Sequence, residues 1–294
     1  MDLDRDALQK QVQDLYAKEH EELGETGAVE HLERGRQWQL ADTLGAGGVL
    51  VFPHASVRDC GYQIAACVQA ALDCGAEKVV VLSVLHAFNQ AMEDARVAVA
   101  RGADPAHSEY WGIQGPGMEG RREWTGDHAL ISWRYLWRAE LKRRGIPEKT
   151  APRVYERYPY LASGRPQDLP GIDELARLME DAAVVSTADP FHHGVGYGDD
   201  PDSAYDHDAA GLAYARSVIE SGIRILEAGD YQSYNRHCVE AKSDARDTGQ
   251  VYRYLRGPMR GEILDISFTD SSALYGAPKP TWVAGALIEW KLAT

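Results

Sequence analysis

Three short apolar runs, each followed closely by a histidine, constrain this chain more than any other feature. Val49-Leu50-Val51-Phe52 leads to Pro53-His54, residues 79–84 lead to Leu85-His86, and residues 182–188 lead to Asp189-Pro190-Phe191-His192. Runs this short without polar alternation predict strands buried on both faces, as in a parallel sheet covered by helices. Gly45, Gly47 and Gly48 precede the first run and Pro53 ends it, so residues that break regular structure set its limits. Between the first two runs, residues 60–74 predict an apolar helix, which makes a right-handed βαβ unit. Both histidines then emerge on one rim, at strand carboxyl ends, where open α/β sheets place their ligand sites. The predicted fold class is α/β: a single-domain α/β/α sandwich with a central mixed, largely parallel sheet.

The remaining chain supplies the covering layers. Residues 2–23 are charged, with Leu8, Val12, Leu15 and Tyr16 at helical spacing, and predict an amphipathic helix within an N-terminal extension, residues 1–40, packed on the body. Residues 103–126 are rich in Gly and Pro and carry Trp111 and Trp124; they predict a long irregular segment covering a substrate. Asp127 and His128 open a helix that ends near Arg143-Arg144-Gly145. Helices are expected at 206–227 and 230–243, and strands at 263–268 and 282–290. No Ser/Gly/Pro-rich linker divides the 294 residues, so one domain, residues 1–294, is expected.

The formal net charge of −14 disfavours phosphate backbones and anionic lipid surfaces as partners. No apolar run approaches the length of a membrane span, and the acidic start lacks a signal peptide's basic region, so a cytoplasmic location is expected. Cys60, Cys67 and Cys74 recur every seven residues on one predicted helix, a packing pattern rather than a metal or disulfide motif; Cys238 falls in another helix. A homodimer is the default expectation for oligomeric state.

A single histidine is more often a satisfied polar residue than a ligand. Several at corresponding strand ends shift that balance. Neutral imidazole suits iron, zinc and copper, and two histidines with one carboxylate leave coordination positions open.

The segments Phe52-Pro53-His54-Ala55, Leu82-Ser83-Val84-Leu85-His86, Ala188-Asp189-Pro190-Phe191-His192-His193-Gly194 and Asp270-Ser271-Ser272-Ala273-Leu274-Tyr275 occur in an order and spacing that resembles the Memo-like proteins. That family is structurally related to the LigB-type class III extradiol dioxygenases, and the resemblance runs from about residue 48 to the end. It implies that His54 and His86 are metal ligands. It also implies that His128 and His192 match the histidines that move protons in ring-cleaving relatives. The implied cofactor is iron(II), with copper or zinc as alternatives. The implied substrates are molecular oxygen and a small catechol- or aminophenol-like ring. Asp127 is positioned to orient His128; Asp189 either tunes the tautomer of His192 or only forms the turn.

The third ligand departs from the family pattern. Memo-like proteins carry a cysteine in the segment matching residues 243–250, and ring-cleaving relatives use a glutamate; this chain has neither. Asp247 is the favoured ligand, with Asp244 and Gln250 as alternatives. Arg246 and Arg58 are candidates for a substrate carboxylate, although exposed arginines are commoner, and His193 is expected to be a bystander. Trp111, Trp124, Tyr197 and Tyr275 either wall a planar substrate or pack in the core. Residues 103–126 and 195–205 are expected to set substrate choice. Three functions follow: an iron(II) dioxygenase in the lead, a metal-binding regulatory or scaffold protein, and a zinc hydrolase that works without oxygen.

Overall fold

The structure, a computed structural model, describes residues 5–118 and 122–293. Its centre is one mixed sheet of eight strands: β1 Val49–Phe52, β2 Lys78–Leu82, β3 Gly112–Gln114, β4 Arg153–Tyr160, β5 Ala182–Thr187, β6 Phe191–Gly194, β7 Met259–Asp270 and β8 Thr281–Leu292. The order is β3-β4-β2-β5-β1-β8-β6, with β7 paired to β8. Strands β4, β2, β5 and β1 are mutually parallel, while the β3, β6, β7 and β8 pairings are antiparallel. The anticipated strand–helix–strand unit is present, but β5 lies between β1 and β2.

Alternation along the parallel strands divides the interior in two. Leu50, Phe52, Val79, Val81, Ala183 and Val185 face one layer. Val49, Val51, Val80, Leu82, Ala182 and Val184 face the other. The first layer is built from α1 Arg5–Gly35, α3 Val57–Asp73 and α5 Ile131–Arg144, which pack on one another, together with the short α2 Ala41–Gly45. The second includes α6 Ile172–Met179, α7 Ala209–Glu227, α8 Tyr231–Glu240 and α9 Arg246–Arg256. The α/β/α sandwich expected from the buried runs is therefore the fold; α4 Gln90–Ala100 and α10 Ser272–Tyr275 complete the helices among the described residues.

Strand β8 positions the site. Its residues 288–290 pair with β1 and its residues 281–284 pair with β6, while β7 pairs along residues 282–292. Strand β6 thus continues the line of β1 along the same edge of β8, and His54 leaves the sheet in the gap between them. Gly285 sits at that gap because a Cβ there would lie 2.3 Å from Pro53 Cβ. No larger residue lets Pro53-His54 approach the sheet so closely.

The helix predicted at 2–23 extends to Gly35 with a non-helical break at Gly24. Val12 and Tyr16 are buried as that pattern requires, whereas the side chain of Leu8 lies outside the described residues. Among the described residues no helix is long and apolar enough to cross a membrane. All four cysteines are free; Cys60, Cys67 and Cys238 are buried.

Candidate metal centre

The rim at the carboxyl ends of β1, β2 and β5 gathers the titratable groups. Ser56 caps α3 by accepting from Arg58 N, which turns the chain sharply after β1 and leaves His54 facing inward. His54 is held at both ends: its backbone N–H donates to Asp189 Oδ1 at 3.1 Å, and its Nδ1 lies 3.0 Å from Thr187 Oγ1. The hydroxyl of Tyr16 donates to the His54 carbonyl. These contacts leave Nε2 directed at Asp244 Oδ2, 3.2 Å away, and Asp189 Oδ2, 3.8 Å away.

His86 is fixed in a different way. Its backbone N–H and its Nδ1 meet the two oxygens of Asp127 at 2.8 and 2.9 Å. A carboxylate only accepts, so Nδ1 carries the proton and Nε2 presents its lone pair, the tautomer a metal requires. That Nε2 lies 4.0 Å from Asp244 Oδ2. Asp127 also accepts from Ala129 N at 2.9 Å, capping the turn that starts the α5 segment. The sequence reading assigned Asp127 to His128; the structure gives it to His86, because a capping carboxylate points back across the turn while its neighbour's ring points away.

His128 stacks on His86 with ring centroids 4.0 Å apart, and its Nδ1 bonds Gln9 Oε1 at 3.0 Å. His54, His86 and His128 form one group whose ligand atoms lie within 4.8 Å of one another; His54, Asp189 and Asp244 form a second. The two groups share His54. His192, on β6, faces the same space, and its Nδ1 is buried without a hydrogen-bond partner.

Asp247, favoured in the sequence, is outside both groups. Its two oxygens accept from Leu161 N and Ala162 N at 3.1 and 2.8 Å, fastening α9 to the end of β4. Asp244 precedes the helix and swings to the histidines. Its Oδ1 accepts from Asp189 N at 2.6 Å, while its buried Oδ2 faces His54 Nε2 at 3.2 Å and His86 Nε2 at 4.0 Å. Gln250 is fully buried and bonds Arg246 O. Sequence spacing did not separate these three because their difference lies in where α9 starts.

Electrostatics favour a cation here. Burial opposes protonation of His54, yet Asp189 and Asp244 outweigh it and hold the pKa at about 9. Burial likewise opposes ionisation of Asp244, and His54, His192 and His86 together pull its pKa down; Asp189, more affected by burial, is pushed up. Burial drives His128 and His192 towards the neutral form. Two carboxylates thus concentrate negative potential beside His54 Nε2, with neutral imidazoles around it.

The donor set fits a divalent ion. Ligand atoms about 2.1 Å from one ion lie roughly 3.0 to 3.5 Å apart. The 3.2 Å contact between His54 and Asp244 has that separation, and the 4.0 Å contact with His86 is one small side-chain adjustment wider. Asp244 Oδ2, set between the two imidazole nitrogens, and the enforced tautomer of His86 are what such an ion would use.

A cavity of about 1120 Å³ opens from the centre, walled by α1, by residues 84–87 and by the 269–275 segment. Tyr197 and Tyr275 line it, whereas Trp111 and Trp124 pack against the core. None of the described residues of 103–126 lines it; β3 ties this segment to the far edge of the sheet, and residues 119–121 lie outside the described residues. The wall is α1 instead, through Gln9, Val12 and Tyr16. Gln9, Tyr16 and Thr187 were missed in the sequence because their contacts to the histidines span 38 to 133 residues of chain. Only the burial periodicity of Val12 and Tyr16 hinted at them. His193 faces away, bonded to Asp199 and to Tyr205 N, and Arg58 pairs with Glu22 on the surface.

No protein-family model matches the chain, and no curated protein matches it.

Proposed function

We propose that this chain is an iron(II)-dependent dioxygenase acting on a catechol- or aminophenol-like ring, with His54, His86 and Asp244 as ligands. The observation that carries the reading is the two-histidine, one-carboxylate grouping set between two neutral imidazoles at the head of a large cavity. Its support in sequence is the ordered resemblance to Memo-like and LigB-type proteins. When bound, the iron would supply redox chemistry towards a ring that carries two adjacent oxygen or nitrogen substituents.

The chain's own residues supply the rest. His192 lines the cavity, burial holds its imidazole towards the neutral form, and the ring takes the proton of the substrate hydroxyl. His128 donates its Nδ1 proton to Gln9 Oε1, so its Nε2 is an acceptor fixed on the other side of the centre. Asp127 keeps His86 in the ligating tautomer, Thr187 holds the His54 ring at Nδ1, and Tyr16 holds the His54 backbone carbonyl. Helix α1 walls the cavity beside the centre through Gln9, Val12 and Tyr16. The protein acts on a small aromatic substrate, in the cytoplasm, as one domain spanning residues 1–294.

The three-histidine group of His54, His86 and His128 favours one second reading, a zinc site that activates water for hydrolysis. Oxygen separates the two. Anaerobic loading with iron(II), then oxygen uptake against catechols and aminophenols, gives uptake that disappears in His54→Ala and His192→Ala if the dioxygenase reading holds. Tight metal binding with no uptake on any ring rejects it and leaves the hydrolase or a non-catalytic metal protein.

A further inference from the structure

Strand β7 carries polar side chains at three alternate positions, Asp265, Ser267 and Thr269. Alternate residues of a strand share one face and stand about 7 Å apart. Their cross-strand neighbours on β8 are Leu287, Gly285 and Val283. Leu287 and Val283 belong to the layer that contains α3, so the three polar side chains point into the seam between β7 and α3. Apolar residues ordinarily fill a seam of this kind.

The row is fixed at both ends. Asp265, half-buried, accepts from Tyr62 Oη and Gln63 Nε2 of α3, both at 2.7 Å. Thr269, at the other end, lines the cavity. Ser267 between them is buried. A Cβ on Gly285 would lie 2.7 Å from Ser267 Oγ and 2.3 Å from Pro53 Cβ, which places this hydroxyl beside the segment that carries His54.

Three oxygens of the row have no protein partner: Gln63 Oε1, Ser267 Oγ and Thr269 Oγ1. Other buried atoms of this kind, such as Arg256 Nε, Asn235 Oδ1 and Trp290 Nε1, sit on separate elements. A buried polar oxygen left without a hydrogen bond is unfavourable, and internal water is what satisfies such groups in folded proteins. Hydroxyls about 7 Å apart are too distant to bond each other and are spanned by one or two waters.

We infer that the seam between β7 and α3 is a binding site for a file of ordered waters, held by Thr269, Ser267 and Gln63, that joins the cavity to solvent at Asp265. Each hydroxyl and each water both donates and accepts, so the file passes a proton by exchange of hydrogen bonds, without electron transfer, and releases it to bulk water beside Asp265. That use as the exit for a substrate hydroxyl proton rests on the proposed reaction. The file itself does not, and its main test needs no substrate.

The test is magnetic relaxation dispersion of water, which counts buried waters that exchange with solvent, on the full-length wild type, Ser267→Ala and the isosteric Thr269→Val. Each variant is expected to lose about one such water. A crystal structure of the wild type is expected to show waters bonded to all three oxygens. Unchanged dispersion in both variants, or the three oxygens turned onto protein partners, overturns the site. A loss in only one variant breaks the file and overturns the connection. Urea unfolding is the control, because deleting an oxygen that is dry in the native protein stabilises it: a raised midpoint in Ser267→Ala counts against the site, and an unchanged or lowered one supports it. Where oxygen uptake on a ring is measured, Ser267→Ala is expected to enlarge the solvent deuterium isotope effect on turnover. An unchanged effect removes the proton role, and an intact file with no uptake on any ring rejects the dioxygenase alone.

Discussion

Replacing Asp127 with Asn tests how the chain forces His86 into its ligating form. The Asp127 carboxylate is fully buried and accepts three N–H groups: His86 Nδ1 and Ala129 N on Oδ1, and His86 N on Oδ2. Burial opposes its ionisation, but His86 and these hydrogen bonds pull the carboxyl well below the usual range, so the native group is an anion. Asparagine has one accepting oxygen. With that oxygen at the Oδ1 position, its NH₂ group faces the His86 N–H, and one buried donor loses its acceptor. Flipped, the NH₂ donates to His86 Nδ1, and the ring proton moves to Nε2, where it blocks a metal. The first arrangement costs about 1.5 to 3 kcal/mol for a bond to a charged acceptor. Loss of such a partner weakens metal affinity by about 10- to 100-fold. Competition between the protein and a chromophoric chelator for zinc(II), the redox-silent probe, measures this directly, with circular dichroism to establish folding. A folded Asp127→Asn protein with wild-type zinc affinity refutes the reasoning.

Two further perturbations probe the frame. Gly285→Val places a side chain where the Cβ alone lies 2.3 Å from Pro53; it should cost about 1 to 3 kcal/mol in urea unfolding and weaken metal binding, because His54 follows Pro53. Unchanged metal affinity in a folded variant argues against β8 as the positioning strand. Glu140 is fully buried, bonded to Arg143 and Arg144, and Arg144 bridges on to Asp73 of α3. Burial raises its pKa, but the two arginines outweigh that and set it below the usual value. A depressed folded-state pKa contributes stability above the unfolded value, lost as pH falls through the folded one. Glu140→Ala should therefore destabilise by about 2 kcal/mol at neutral pH and flatten the acid limb of the stability profile; an identical acid limb contradicts this.

The buried strands β1, β2 and β5 were legible because nothing but a two-sided core accepts runs such as Val49–Phe52. Strand β4 was not, since Arg153–Tyr160 carries Arg157, Glu156 and Pro159; its charges are satisfied by Arg134 and by backbone carbonyls that only the fold supplies. The histidines were legible as a group, and their surroundings were not. Asp244 and Asp247 look equivalent in sequence, yet a helix that starts at Arg246 puts one before its first turn and the other inside it. The amphipathic pattern of α1 showed that Val12 and Tyr16 are buried, and gave no sign that they cover the histidines. The described part of residues 103–126, expected over the substrate, is tied instead to the sheet edge by the pairing of Ile113 with Pro159.

The most direct test of the two-histidine, one-aspartate centre is the iron bound per chain after anaerobic loading, compared between the wild type, Asp244→Ala and Asp247→Ala. The account predicts one iron in the wild type, near-complete loss in Asp244→Ala, and iron retained in Asp247→Ala even where that variant is less stable. Wild-type iron content in Asp244→Ala, with loss confined to Asp247→Ala, contradicts it and returns the third ligand to Asp247.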